Sequence, residues 1–287
     1  MFTRVGIPCF GQIAALAALT LAPCPCLLEA GQGAEHADRS AIPQPARTTP
    51  TTFISSDGSL DLDAVVKHFE DLYRAGSSIA SAELTISRPR RSRSLRMNVR
   101  TQGEDRALIL IQAPPREKGT ATLKVDDNLW NYLPRIRRTI RIPPSMMLSS
   151  WMGSDFTNDD LVRESSYRED YDCRLVGKSE DPTGWLVKFT AREGVVGLWK
   201  SFELTVSPDG TIPLQSLWYN RKGELARRLI WDKVKVLDGR RLPTRMTLIP
   251  TDRDDKTWKT VMEYHDIDFE VDLPDDTFSL SNLERHR

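Results

Sequence analysis

The chain has 287 residues, 39% hydrophobic and 28% charged, ordinary values for a globular protein with room for one large domain or two small ones. Lys plus Arg equals Asp plus Glu at 40 each, so the net charge is zero and exerts no global pull toward nucleic acid. Any attraction to a membrane must come from local patches.

Residues 1–30 read as an export signal. Arg4 supplies a positive start, and Ile13–Leu21 is an uncharged apolar run. That run is shorter than the roughly 20 apolar residues a spanning helix needs. Leu21-Ala22-Pro23-Cys24 departs from a lipid-attachment box at the proline before Cys24, so anchoring there is not expected. Cys9, Cys24 and Cys26 fall in the leader, which leaves Cys173 alone in the mature chain. With no internal disulfide available, the core must hold the fold. Residues 31–58 are rich in Ala, Gly, Pro, Ser, Thr and Gln and read as a flexible linker, ahead of one domain over 59–287.

That domain opens with a helix. Leu62, Val65, Val66, Phe69, Leu72 and Tyr73 share one face of a 3.6-residue period, with Ser59 or Asp61 as cap and Gly76 as stop. Strand-like runs follow at 79–88, 92–101, 105–112, 118–126, 129–133 and 137–142. After an interruption they resume at 170–178, 184–192, 198–207, 212–220, 224–238, 241–250 and 256–270. Turn signals such as Gln102-Gly103, Asp127-Asn128 and Pro208-Asp209-Gly210 separate them. Hairpin after hairpin without helical crossovers predicts a mainly β antiparallel meander. Its long strands favour a curved sheet or half-open barrel over a compact sandwich.

The interruption at 143–163 begins with Pro143-Pro144, which stops the preceding strand. Met146, Met147, Leu148, Trp151, Met152 and Phe156 then lie within eleven residues, and Thr157 or Asn158 can cap a short helix through Val162. Methionine is unbranched and adapts to variable apolar guests. Two readings stand: an end plug of ordinary core, or a lid over a concave face. Alternation also places Trp130, Tyr132, Trp185, Phe189 and Phe202 on one expected apolar surface, the wall of a ligand cavity.

Catalytic patterns are absent from the sequence: no G-x-S-x-G elbow, H-E-x-x-H, P-loop or G-x-G-x-x-G occurs. His36, His68, His265 and His286 are far apart, and no metal or cofactor is expected. Asp126-Asp127, Asp159-Asp160 and Asp275-Asp276 fall at turns or helix starts, where Asp serves local hydrogen bonds. Two arginine clusters, Arg88–Arg96 and Arg135–Arg141, sit on expected hairpins. Each is either a solvated face or a surface for anionic phospholipid head groups or an acidic partner.

The stretch Lys118-Gly119-Thr120-Ala121-Thr122-Leu123-Lys124, with Leu129-Trp130-Asn131-Tyr132-Leu133-Pro134 and Arg137-Arg138-Thr139-Ile140, resembles the outer-membrane lipoprotein-sorting proteins of the LolA-like superfamily. So does the continuation through Pro143-Pro144-Ser145-Met146-Met147 and Trp151-Met152-Gly153-Ser154-Asp155-Phe156. The likeness covers about residues 60–283. It implies a periplasmic, non-enzymatic carrier whose half-open barrel shields the acyl chains of a lipoprotein or lipid bound for the outer membrane. An inner-membrane transporter is the partner that it hints at. A lipid-sensing regulator or transporter accessory on the same fold is the alternative. The resemblance assigns no arginine to the lid.

Overall fold

The computed structural model describes residues 52–162, 167–195, 198–253, 255 and 257–285. The export signal and most of the expected linker lie outside these residues. Residues 52–58, expected as the end of the linker, already join the fold. Phe53 donates its amide to the Asp209 carbonyl at 2.8 Å, and Phe53 and Ile54 pack against the main core.

Helix α1 (Leu62–Asp71) starts at Asp61, whose carboxylate accepts the Ala64 amide at 3.0 Å. Its face of Val65, Val66 and Phe69 is buried, as the period required. Strands follow as β1 (Ser77–Arg88), β2 (Arg91–Gln102), β3 (Arg106–Ala113), β4 (Ala121–Val125), β5 (Asn128–Leu133) and β6 (Arg138–Arg141). After the insert, and the short helices α2 (Asn158–Val162) and α3 (Tyr167–Asp170), come β7 (Tyr171–Glu180), β8 (Thr183–Ala191), β9 (Trp199–Val206) and β10 (Pro213–Asn220). The last are β11 (Leu225–Leu237), β12 (Arg240–Pro250) and β13 (Lys259–Phe269), before helix α4 (Leu280–Arg285).

All thirteen strands form one antiparallel sheet in the order β6-β5-β4-β3-β2-β1-β13-β12-β11-β10-β9-β8-β7. It is a curved, unclosed sheet, the half-open barrel that the hairpin pattern predicts. Each half is a plain meander, and β1 pairs with β13 to join the halves at the centre. This order has a geometric consequence. β6 and β7 are successive in sequence yet are the two outer edges, so the chain between them must travel the width of the sheet. It does so over the concave face, because Trp151, Phe156, Leu161 and Val162 are buried in the same core as α1 and the inward residues of the strands.

The two faces of the sheet carry separate apolar clusters. The larger lies on the concave side beneath α1 and the insert. The smaller joins Leu108, Leu110, Ala121, Leu123 and Tyr132 to Phe278 and Leu283 of the C-terminal segment. The pleat enforces the division. Trp130 pairs with Leu123 and Tyr132 with Ala121, so both rings share the outer parity, while Leu129 points to the main core. The single continuous wall expected from Trp130, Tyr132, Trp185, Phe189 and Phe202 is therefore two surfaces. Trp185, Phe189 and Phe202 belong to the concave one, and Trp130 and Tyr132 to the convex one.

Candidate functional site

The concave face is built on a row of aromatic side chains. Trp218, Phe202 and Phe189 are cross-strand partners on β10, β9 and β8. Their rings stack at 4.2 Å for Trp218 and Phe202 and at 4.3 Å for Phe202 and Phe189. Tyr167 and Tyr171 tilt onto this row, with Tyr167 at 5.4 Å from Phe189 and Tyr171 at 5.1 Å from Phe202. Such a run of rings presents a large, nearly flat apolar surface with geometric preferences of its own.

Residues 143–162 cover this face. Pro144–Met146 forms a 3-10 turn, and a second turn runs over Trp151–Gly153. Met152 and Gly153 both adopt left-handed backbone, with φ of 51° and 73°. For methionine that conformation is uncommon. It turns the Met152 carbonyl toward Arg93 and the Gly153 carbonyl toward Arg88. Thr157 then caps α2 reciprocally: its hydroxyl accepts the Asp160 amide at 3.1 Å, and the Asp160 carboxylate accepts the Thr157 amide at 2.9 Å.

The expected site residues of this segment divide by orientation. Trp151 and Phe156 are fully buried, and Met147 and Met152 pack against the main core. Met146 and Leu148, expected to contact the cavity, are instead 48% and 56% exposed. In a tight turn with i to i+3 bonds, successive residues diverge, so Met147 points in while its two neighbours point out.

The attachments of the segment are of one kind. Its backbone hydrogen bonds close within itself, as from Trp151 to Phe156, Asn158 to Ser149 and Asp159 to Met147. Among the described residues, its polar ties to the sheet run through side chains. The Trp151 indole donates to the Thr122 hydroxyl at 3.1 Å. Asp155 accepts from Arg88 at 3.0 Å and from the Thr260 hydroxyl at 2.6 Å. Arg88 also donates to the Gly153 carbonyl at 3.0 Å and lies over the Trp258 ring at 4.5 Å. Deeper in, Arg227 of β11 donates to both oxygens of Asp160 at 3.1 Å, with its guanidinium 4.4 Å from the Trp199 ring and 5.1 Å from that of Trp218.

These contacts correct the reading of the first arginine cluster. Arg88 and Arg93 face the insert, while Arg90, Arg91 and Arg96 remain exposed. The cluster at the β5–β6 hairpin differs: Arg135, Arg137 and Arg138 are exposed, with Ile136 between them at 56% exposure.

The residue reading missed Arg227, Asp160, Asp155, Trp199 and Trp218. A signal was there for Arg227, which takes the inward parity of β11 that Leu229 shares, where an apolar residue is the norm. The sequence marks Asp160 as a local helix-start residue. It is one, but its carboxylate also meets a guanidinium 67 residues away. Cys173 is half-buried against the core, and burial pushes its thiol up, away from reactivity. Among the described residues no group of three His, Cys, Asp or Glu side chains is arranged to hold a metal ion.

Known structures share this architecture. A DUF1329 family protein from Desulfovibrio piger superposes with a TM-score of 0.67 at 22% identity, covering 77% of this chain and 96% of that one. An outer membrane lipoprotein-sorting protein domain from Vibrio parahaemolyticus gives 0.62 at 22% identity, over 73% and 92%. A LolA superfamily protein from Nitrosomonas europaea gives 0.62 at 19% identity, over 78% and 100%. No curated protein matches the sequence. Residues 103–285 match the model of a family described as Uncharacterized protein. The chain belongs to that family, and its fold is LolA-like.

Proposed function

We propose that this protein is an exported, non-enzymatic carrier that shields the acyl chains of a lipoprotein or lipid against its concave face while they cross the periplasm toward the outer membrane. The observation that carries this reading is the mode of attachment of residues 143–162. The segment is buried against the main core on the concave face through Trp151 and Phe156, yet it contributes no strand to the sheet. It can lift without breaking a ladder hydrogen bond. Lifting it uncovers apolar surface, at about 25 cal/mol for each Å². An acyl chain that takes the place of Trp151 and Phe156 offsets that cost, so opening is coupled to cargo.

The fold shared with lipoprotein-sorting and LolA superfamily structures supports the assignment. The exposed arginines at the two hairpins suit anionic head groups during loading or delivery, each worth about 1 kcal/mol near a charged surface. An inner-membrane transporter is the loading partner this reading calls for. The test is mass spectrometry of the mature protein recovered from the periplasm without detergent. Stoichiometric diacyl or lipoprotein cargo is the expected result. Protein that is lipid-free, and stays so after incubation with lipid vesicles, would overturn the proposal.

A further inference from the structure

The zero net charge conceals an uneven distribution. Strands β6 to β1 lie side by side, so the turns β1–β2, β3–β4 and β5–β6 leave from one end of that half of the sheet. Neighbouring turns are two strand spacings, about 10 Å, apart. They carry exposed Arg90 and Arg91, Arg116 and Lys118, and Arg135 and Arg137. The acid among them, Glu117, is paired with Arg93 at 3.3 Å.

The opposite end of the same strands is acidic. Turns β2–β3 and β4–β5 carry exposed Asp105, Asp126 and Asp127. β1 and β2 have 12 residues each, which separates the two ends by about 40 Å. β4 and β5 have five and six, which separates them by about 17–20 Å. Both spans exceed the screening length of about 8 Å at physiological salt, so the acidic end does not cancel the basic one. In the β7–β13 half the turn end is mixed, with Arg192 paired to Asp172 and Arg253 to Asp252.

The basic end has an apolar tip. In the β5–β6 turn Ile136 is 56% exposed between Arg135 and Arg137, and Ile140 follows on the edge strand at 42%. Main-chain bonds from Ile136 to Leu133 and from Arg137 to Pro134 hold the turn, so its side chains are spare. The cover is tied at this same end, to Arg88 at the close of β1 and to Thr122 near the start of β4.

We propose that the protein docks end-on to an anionic phospholipid bilayer through the turns β1–β2, β3–β4 and β5–β6, with Ile136 entering the head-group layer and the acidic end held away. The carrier reading supplies the reason for meeting a bilayer. Arginines flanking an apolar side chain suit a bilayer interface, where the apolar group enters and the guanidinium groups reach phosphates. An acidic protein surface would match the charge but would leave Ile136 without an apolar layer. Docking in this orientation sets the cover beside the membrane.

The test is flotation of the mature full chain with vesicles of phosphatidylcholine, alone or with about one-third phosphatidylglycerol. Binding to the mixed vesicles is expected to be about a hundredfold tighter and to weaken with salt. Arg135→Gln, Arg137→Gln and Arg138→Gln together should lose about a hundredfold, about fivefold for each arginine. Ile136→Ser should lose about tenfold. Asp105→Lys with Glu180→Lys, both exposed at the far end, should change affinity by less than about twofold. Far-UV circular dichroism checks each fold. Equal binding to both vesicles overturns the proposal, and so does a triple variant that binds as the wild type does. A gain at the far end as large as the loss at the turns would reduce the effect to net charge and overturn the orientation. Binding to polyglutamate but not to the mixed vesicles would assign the basic end to an acidic protein. Protein that carries acyl cargo yet ignores the vesicles removes the docking surface and leaves the carrier standing.

Discussion

Two covers lie on the same concave face, and they are held differently. Helix α1 and the two residues after it bury Val65, Val66, Phe69 and Leu72, and their polar ties include backbone partners: Tyr73 donates to the Pro243 carbonyl at 2.6 Å, His68 meets the Thr211 carbonyl at 2.9 Å, and the Glu70 carboxylate accepts the Arg168 amide at 3.3 Å. Residues 143–162 also bury large side chains, and their polar anchors include two ion pairs, Arg88 with Asp155 and Arg227 with Asp160, beside the Trp151–Thr122 and Thr260–Asp155 hydrogen bonds. Apolar burial is non-directional and is lost gradually. A buried ion pair is geometrically exacting, and its loss is abrupt unless another charge takes over. One cover is thus held chiefly by apolar packing, and the other by apolar packing with two ion pairs, Arg88 with Asp155 and Arg227 with Asp160.

The largest effect is expected at α1. Phe69→Ala should cost about 3–5 kcal/mol of global stability in denaturant unfolding. A cost confined to local fraying would show that α1 is no more integral than the insert. A smaller effect is expected for Arg88→Ala, which strips Asp155 of its mostly buried partner. It should ease opening of residues 143–162 by about 1–3 kcal/mol and leave strand protection in hydrogen exchange unchanged. Equal loss of protection throughout would mean that the insert and the sheet unfold together.

The smallest effect belongs to His68. Burial holds its imidazole below the ordinary range, against the opposing pull of the Thr211 carbonyl. The unfolded ring therefore binds protons more readily than the folded one. Its share of stability is full above about pH 6.5 and declines as the pH falls from there toward the lowered folded value. His68→Gln should flatten that part of the stability profile. An unchanged slope would remove His68 as the source.

Much of this fold was legible because it is local. Each strand announces itself by alternation and turn residues, and the α1 face by its period. Asp61 capping follows from one side chain and one amide three residues on. The edge-to-edge route of the insert was not legible, since it depends on β1 pairing with β13 across nearly the whole domain. Parity at β5 failed for a related reason. A strand of six residues alternates equally well in either sense, and only its neighbours decide which face is inside. That is why Leu129 and not Trp130 points to the main core. The methionine-rich segment was visible as an oddity. Which of its methionines turn inward depends on a 3-10 turn that composition does not encode.

A detachable cover opens at residues 143–162 while the sheet stays closed. Native-state hydrogen exchange tests it most directly, read at the amides of Trp151, Ser154, Asn158 and Asp159, which bond within the segment. These amides should exchange through an opening of lower free energy than those of β1 and β13, and addition of a long-chain lipid should change their protection without changing that of the two strands. Exchange of the segment only at the free energy of global unfolding, with or without lipid, would contradict a detachable cover.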